Sequence, residues 1–471
     1  MTFVHALQSV PPHRFAALAL LTIAAALVST FASSMLLAQN APRIDNTPTK
    51  HDTLVLTIAA ARAAALRANP ELVAARSDID IARGQLRQAG ILRTNPSADV
   101  LGANGGLLSE LALTQEIEVA GQRGARRAVA RAGVARAELS VSNVVRLTLA
   151  DVDRGFYRAV AADRRAALAA EVLTLNERLA QAATKQLREG EISKLDYNLS
   201  VIELGRSRAR ALGAGREQQR STIELRRLLG LPAAAPLRAV FDSTVHHHVP
   251  LDSDGATPRV DLSAFGLGSD TAVAAYTQRA LAQRPDLAER DAAVAQANAD
   301  VALARREAFP NLIARVVSEH SEASGTRVLR PGIGITLPLF NRNQGELEAR
   351  RAVARRTSLE RVATATRVRS EVEAATRAYE SAAGEVEVFE RTVLGPARDN
   401  RRLLETAYRE GKVGLPVLLL IRNQVTDAEQ EYWTAWLAER EAAAELSAAL
   451  GYSVVNDTIG AASTPTTRTG P

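Results

Sequence analysis

His246, His247 and His248 are metal ligands by type, because a neutral imidazole nitrogen binds divalent cations well. Three in a row, on a stretch that also carries Pro250, Asp252 and Asp254, do not converge as ligands spaced along a rigid scaffold do. They read as part of a surface loop, and no metal centre is expected from them. Trp433 and Trp436 stand three apart, on one face of any helix that contains them. They read as packing anchors, not as a ligand box. No nucleophile elbow, phosphate-binding loop, zinc-protease helix or paired-cysteine site occurs in the sequence. No enzyme activity and no cofactor are expected.

The elements that carry these residues are foreshadowed by composition. Hydrophobic residues make up 46% of the 471 but aromatics only 4%, so the apolar surface is mostly Ala, Leu and Val. That favours close helix-on-helix packing over a thick core of large rings. Residues Phe15 to Val28 form an apolar run preceded by Arg14, with small residues at Ala32, Ser34 and Ala38. The run is shorter than a membrane span and reads as an export signal over 1–38, cleaved at Ala38. Cysteine is absent, which fits an exported chain without disulfides and leaves no thiol for N-terminal lipidation. No later run reaches the length of a membrane helix, so a membrane would have to be crossed with strands. The net charge of +6 comes from arginines interleaved with Glu and Asp, a solvated helix face. Nucleic acid is not an expected partner, since the charges neither cluster nor alternate with stacking aromatics.

The chain repeats itself. Ala125–Arg131 and Ala349–Arg355 are the same seven residues, and other pairs follow in the same order. Asn69-Pro70-Glu71-Leu72 answers to Arg284-Pro285-Asp286-Leu287, Arg188-Glu189-Gly190 to Arg409-Glu410-Gly411, and Leu229-Gly230 to Leu450-Gly451. A tandem duplication follows, with repeats over 56–230 and 271–451. A segment 39–55 precedes them, a connector 231–270 joins them and a flexible tail 452–471 ends the chain. Within the first repeat, 122–187 lacks proline, and Leu168, Val172, Leu175 and Leu179 trace a coiled-coil seam. Such a helix would be roughly 100 Å long. After Gly190 the pattern resumes, so 189–193 is the reversal between antiparallel helices, and 411–414 is its counterpart. Pro396 is expected to kink the helix entering the second bend.

Period-two alternation marks strands at about 110–119 and 331–340, the latter from Ile333, Ile335, Leu337 and Leu339 set between Gly332, Gly334, Thr336 and Pro338. Partner strands are expected at about 97–103 and 311–319, with loops at 104–107 and 320–330. Phe309 and Phe340 are the aromatics near the strand ends. The two hairpins could belong to a soluble domain. In a membrane, four strands cannot close a barrel and open edges are forbidden, so several chains would have to share one; three would supply twelve strands.

At this point the residues resemble a known family. Asn69-Pro70-Glu71-Leu72, the stretch Leu113–Gly124, Gly155-Phe156-Tyr157, the run Arg188–Asp196, Arg284-Pro285-Asp286-Leu287, Phe309-Pro310-Asn311-Leu312, the run Pro338–Asn343 and the run Tyr408–Gly414 are similar to TolC-like outer-membrane efflux proteins. The resemblance covers Leu56 to Gly451. Val119–Arg123 and Gly155-Phe156-Tyr157 look closer to its heavy-metal-cation branch. It implies a mixed, mainly α fold, in which long antiparallel coiled-coil helices form a periplasmic α-barrel. Four strands per chain would contribute to a trimeric twelve-stranded β-barrel in outer-membrane lipid. It further implies a homotrimer whose helix-hairpin tips meet a periplasmic adaptor protein that links to an inner-membrane pump. Gly190, Ser193 and Leu195 match the first tip, and Gly411, Val413, Gly414 and Leu415 the second; such glycines serve as turn residues and let a second helix tip approach. Asp196 matches the tunnel entrance, where family members often carry aspartates after the second hairpin as well. Here those positions hold Val417 and Leu420. The departure suggests an apolar constriction over Val417–Ile421, against the alternative that Leu418–Ile421 simply packs between helices. The function implied is a passive exit duct for small solutes, heavy-metal cations or drugs. A duct for secreted protein and a pore-free periplasmic coiled-coil scaffold are the alternatives.

Overall fold

A computed structural model describes residues 54–102, 108–233, 235–240, 270–321 and 326–451. The expected export signal, most of the N-terminal segment, the connector with His246, His247 and His248, the loop 104–107 and the tail lie outside the described residues. Helices and strands alternate in the order β1 (Leu54–Leu56), α1 (Ile58–Ala68), α2 (Pro70–Ala89), β2 (Ser97–Gly102), β3 (Leu108–Ile117), α3 (Gln122–Arg188) and α4 (Lys194–Leu229). After β4 (Leu237–Ala239) the same order returns as α5 (Asp270–Gln283), α6 (Pro285–Glu307), β5 (Leu312–Ser321), β6 (Thr326–Ile335), α7 (Gln344–Val388), a π turn over Phe389–Val393, α8 (Leu394–Arg409) and α9 (Leu415–Leu450). The single helix α3, of 67 residues, is answered in the second half by α7, the π turn and α8. Pro396 accounts for that difference: it has no N–H to offer Thr392, and just before it the Leu394 N–H bonds back five residues to Phe389.

The chain divides into two units. One comprises 89–127 and 302–348 and is built on an antiparallel sheet of order β2-β3-β5-β6. Its central register pairs Leu113 with Val316 and Ile117 with Leu312, and Leu312 in turn with Ile335. The last strand runs Thr326–Ile335, several residues ahead of the expected 331–340. Beyond Ile335 the position opposite Leu337 is Pro310, which has no N–H to give the ladder, so pairing stops there. At the other end Arg327 and Arg330 mask the alternation, although Arg330 pairs across the strands with Glu319 at 3.7 Å. Likewise β3 ends at Ile117, leaving Val119 outside it, because Glu118 instead pairs with Arg126 in the first turns of α3.

The other described unit, 54–88, 128–301 and 349–451, is helical apart from the parallel pair β1–β4. Its cores are thin and rich in alanine. Ala61, Ala65, Val152, Phe156, Ala161, Leu225 and Leu229 form one buried cluster closed by Trp436. There Tyr157 stacks edge-on against Trp436, with ring centres 5.8 Å apart, and Trp433 stands 5.4 Å from Trp436. The tryptophans are helix anchors, as their spacing suggests. A second cluster joins α5, α7 and α9 through Tyr276, Val368, Val372, Leu446 and Leu450.

The proline motifs of the two repeats do the same job in both. Pro70 and Pro285 open α2 and α6, where a missing N–H costs nothing. The residue before each proline caps the last helix of its own repeat: Asn69 Nδ2 donates to the Leu228 carbonyl at 2.8 Å, and Arg284 to the Ala449 carbonyl at 3.3 Å. Each capped helix ends on a left-handed glycine, Gly230 at φ 66° and Gly451 at φ 83°.

Candidate functional site

No helix among the described residues is long and apolar enough to cross a membrane, and none of their His, Asp and Glu residues gather into a group that could hold a metal ion. Two other features have the character of working surfaces: the sheet and the hairpin tips.

Side chains alternate across a strand, so the register sorts the sheet into two faces. One carries Val100, Leu111, Leu113, Ile117, Leu312, Val316, Leu329, Ile333 and Ile335. Leu113, Leu329, Ile333 and Ile335 are exposed in the single chain. Gln115 shares this face, but its amide is turned onto the backbone carbonyls of Thr94 and Glu116. The opposite face carries most of the charges, Asp99, Glu110, Glu116, Arg315, Glu319 and Arg330, set among Leu101, Ile313, Val317 and Val328, with an Arg315–Glu110 pair at 3.2 Å. A sheet that is mostly apolar on one side and bears most of its charges on the other separates lipid or protein from water. Its outer strands β2 and β6 each have one edge that no other described strand pairs.

Both hairpin tips close by the same hydrogen bonds. At the end of α3, Gly190 at φ 75° donates to the Leu187 carbonyl at 3.2 Å, and the Glu191 N–H reaches back to Gln186 at 2.8 Å. At the end of α8, Gly411 at φ 69° donates to Tyr408 at 3.0 Å, and the Lys412 N–H reaches Ala407 at 2.8 Å. Ser193 then caps α4 in a reciprocal box: the Asp196 N–H donates to Ser193 Oγ at 3.1 Å, and the Ser193 N–H donates to Asp196 Oδ2 at 3.3 Å. Gly414 takes the equivalent position before α9, without a side-chain cap. A Ser193→Ala substitution is therefore expected to lower the stability of the tip by about 1 kcal/mol. Faster amide exchange confined to the first turn of α4 would register it, and an unchanged rate there would contradict the cap.

The two tips rest on one core of Ala183, Leu404, Leu415, Leu418 and Leu419, with Val413 and Ile421 packed against it. Of the residues singled out in the sequence, Leu415 and Val413 are thus packing residues. Leu195 is exposed, as are Val417 at 44% and Leu420 at 61%. The stretch 417–421 divides, with Leu418 and Leu419 inward and Val417 and Leu420 outward, one helical turn apart.

Sequence reasoning missed a polar cluster beneath this core. Arg422 is buried and donates through Nη2 to the Asn176 side chain, while its Nε and Nη1 find no hydrogen-bond partner among the described residues. Burial lowers the pKa of this guanidinium, and the charge of Glu203 partly opposes the shift. The one available signal was an arginine following a run of five apolar residues. Another missed device joins α9 to the π turn: the Tyr432 hydroxyl donates to Glu390 at 3.2 Å. Burial, with that carboxylate beside it, pushes the phenol up to about 12.

Comparison with known proteins agrees with this architecture. The sequence profile of the outer membrane efflux protein family matches residues 276–452. The cobalt-zinc-cadmium resistance protein CzcC of Cupriavidus metallidurans is 26% identical over 295 residues, which are 62% of this chain and 65% of CzcC. Among solved structures, CusC superposes with a TM-score of 0.65 at 18% identity, over 87% of this chain and 95% of that one. The CmeC outer membrane channel of Campylobacter jejuni superposes with a TM-score of 0.68 at 14% identity, over 86% and 89%. With the two-faced sheet and the repeated helical hairpins, these matches give the chain the fold of the TolC-like outer membrane efflux channels, to whose family it is similar over residues 276–452, in keeping with a place in the bacterial outer membrane and a large helical periplasmic portion.

Proposed function

We propose that three copies of the chain close their sheets into one twelve-stranded barrel and serve as the passive exit duct of a three-part efflux system. The observation that carries this reading is the four-stranded sheet itself, mostly apolar on one face and bearing most of its charges on the other, with β2 and β6 each leaving an edge that no other described strand pairs. In a lipid layer those edges need partners, because no water is present to satisfy their backbone groups, and sister copies supply them. The cargo class we favour is heavy-metal cations, in keeping with the cobalt-zinc-cadmium resistance for which the relative CzcC is named. An inner-membrane pump would deliver the cargo through a periplasmic adaptor seated on the hairpin tips, with Gly190, Ser193 and Leu195 on one and Gly411, Val413, Gly414 and Leu415 on the other.

Full-length protein in planar bilayers is expected to conduct, and on gels to migrate as a trimer that dissociates on heating. A water-soluble monomer that never opens a conductance would overturn the duct. At the entrance we assign the narrowing to outward-facing Val417 and Leu420. The Asp196 carboxylate is already engaged by its own helix cap. Val417→Ser with Leu420→Ser is expected to raise single-channel conductance, while Asp196→Ala leaves block by periplasmic divalent cations unchanged. Loss of a strong divalent block in Asp196→Ala would instead make the gate acidic.

A further inference from the structure

Each of the four passages between helix and strand lies at the same end of the sheet: α2 into β2, β3 into α3, α6 into β5, and β6 into α7. Since the helices belong to the periplasmic portion, this end is where the sheet leaves the membrane toward the periplasm. Past the end of β6 the chain leaves Leu337, Leu339 and Phe340 exposed, the last to 91%, and Phe309, three residues before β5, is 62% exposed. Such bare rings at the foot of a lipid-facing sheet suit the headgroup boundary.

Arginines are interspersed with them, and they fall into two kinds. Arg93 pairs with Glu307 at 3.5 Å, and Arg126 pairs with Glu118. Arg123, Arg306 and Arg342 pair with no carboxylate among the described residues. Each is held by one backbone carbonyl: Arg123 Nε by Gly90 at 2.6 Å, Arg306 Nη1 by Ala120 at 2.9 Å, and Arg342 Nε by Pro338 at 3.3 Å. A carbonyl fixes the guanidinium without cancelling its charge, and it uses one of five N–H donors. Three pre-set, uncompensated cations beside exposed apolar side chains match a phosphodiester with acyl chains attached.

We propose that this rim is a binding site for anionic phospholipid of the inner leaflet of the outer membrane, the phosphate held by Arg123, Arg306 and Arg342 and the chains laid against Leu337, Leu339 and Phe340. The inference rests on the outer-membrane placement of the sheet and not on what the duct exports.

The test is retention of lipid by the full chain, read by native mass spectrometry after incubation with equimolar phosphatidylglycerol and phosphatidylethanolamine. Phosphatidylglycerol is expected to be retained in preference, and each of R123Q, R306Q and R342Q to reduce that preference about fivefold. Phe340→Ser should lower retention of both lipids while keeping the preference. Added sodium chloride should weaken the preference in the unaltered protein, a readout that does not depend on any variant folding. Equal retention of the two lipids by the unaltered protein, a preference unmoved in the triple glutamine variant, or stronger retention of lipopolysaccharide would overturn the proposal. Conductance measured on the same samples separates the two readings: a protein that conducts normally and shows no lipid preference refutes the rim site and leaves the duct standing.

Discussion

Gly230→Ala is expected to destabilise the helical unit by at least about 3 kcal/mol, whereas Gly205→Ala in the same helix is expected to stabilise it by up to about 1 kcal/mol. Both replace a hydrogen by a methyl, so the contrast isolates position. At Gly205, inside α4, a Cβ would meet nothing within 4 Å, and alanine is the better helix former. At Gly230 the backbone is left-handed at φ 66°, and a Cβ would lie 2.0 Å from the carbonyl oxygen of Ala68 and 2.6 Å from its carbon. Those are backbone atoms of the α1 end, held in place by Asn69, whose side chain caps both the start of α2 and the end of α4. Relieving the clash therefore means moving the junction of three helices. Gly451→Ala, where the nearest atom is Arg284 Cγ at 2.9 Å, should cost less than Gly230→Ala. Thermal unfolding in detergent, followed by far-ultraviolet circular dichroism, would show the order Gly205→Ala above unaltered protein above Gly451→Ala above Gly230→Ala. An unchanged midpoint for Gly230→Ala would refute the close approach.

The same junction shows what could be read in the sequence and what could not. The two proline motifs are visible as repeat markers, and the helix starts at Pro70 and Pro285 follow from local backbone rules. Their capping role is not visible, because Asn69 and Leu228 are 159 residues apart and only the returning helix brings them together. The tips at Gly190 and Gly411 were legible for the opposite reason: the bonds that close them join residues three and five apart. Strand ends fell between these cases. The position of β6 depends on Pro310 in the neighbouring strand, so alternation within residues 331–340 could not locate its end. Asp196, which the resemblance matches to the tunnel entrance beside the first hairpin tip, also has local work that the sequence alone could suggest, since its partner Ser193 lies only three residues away.

Asp286→Ala is expected to cost about 3–5 kcal/mol, the loss that follows when a buried ion pair forfeits one member. Asp286 accepts both Nε and Nη2 of Arg284, at 3.0 and 2.7 Å, with Arg367 at 3.4 Å and Arg146 at 3.9 Å. Arg284 and Arg146 are buried, and each also donates to a carbonyl in the last turn of α9, at Ala449 and Ala448. Cations at a helix C-terminus suit its dipole, but three guanidiniums this close repel one another unless a carboxylate lies among them. Burial pushes the Asp286 carboxyl up, yet the Arg284 hydrogen bonds and the surrounding cations outweigh it and hold its pKa below the ordinary value. A depressed folded-state pKa means that the ionised carboxyl stabilises the fold at pH values above its unfolded pKa, about 3.9. That contribution is lost as pH falls below that value and through the folded pKa. The unaltered protein should therefore lose part of its thermal midpoint between neutral pH and pH values below about 4. Asp286→Asn, which keeps the shape and removes the charge, should begin lower and fall less over the same interval. Glu371, half exposed and 2.7 Å from Arg284, remains to partner that arginine in either variant, which sets the expectation toward the lower end of the range. Midpoints of Asp286→Asn and unaltered protein that coincide at pH 7, or that decline in parallel on acidification, would show that the carboxylate is not what holds the three arginines together beside the end of α9, where Arg284 and Arg146 bond.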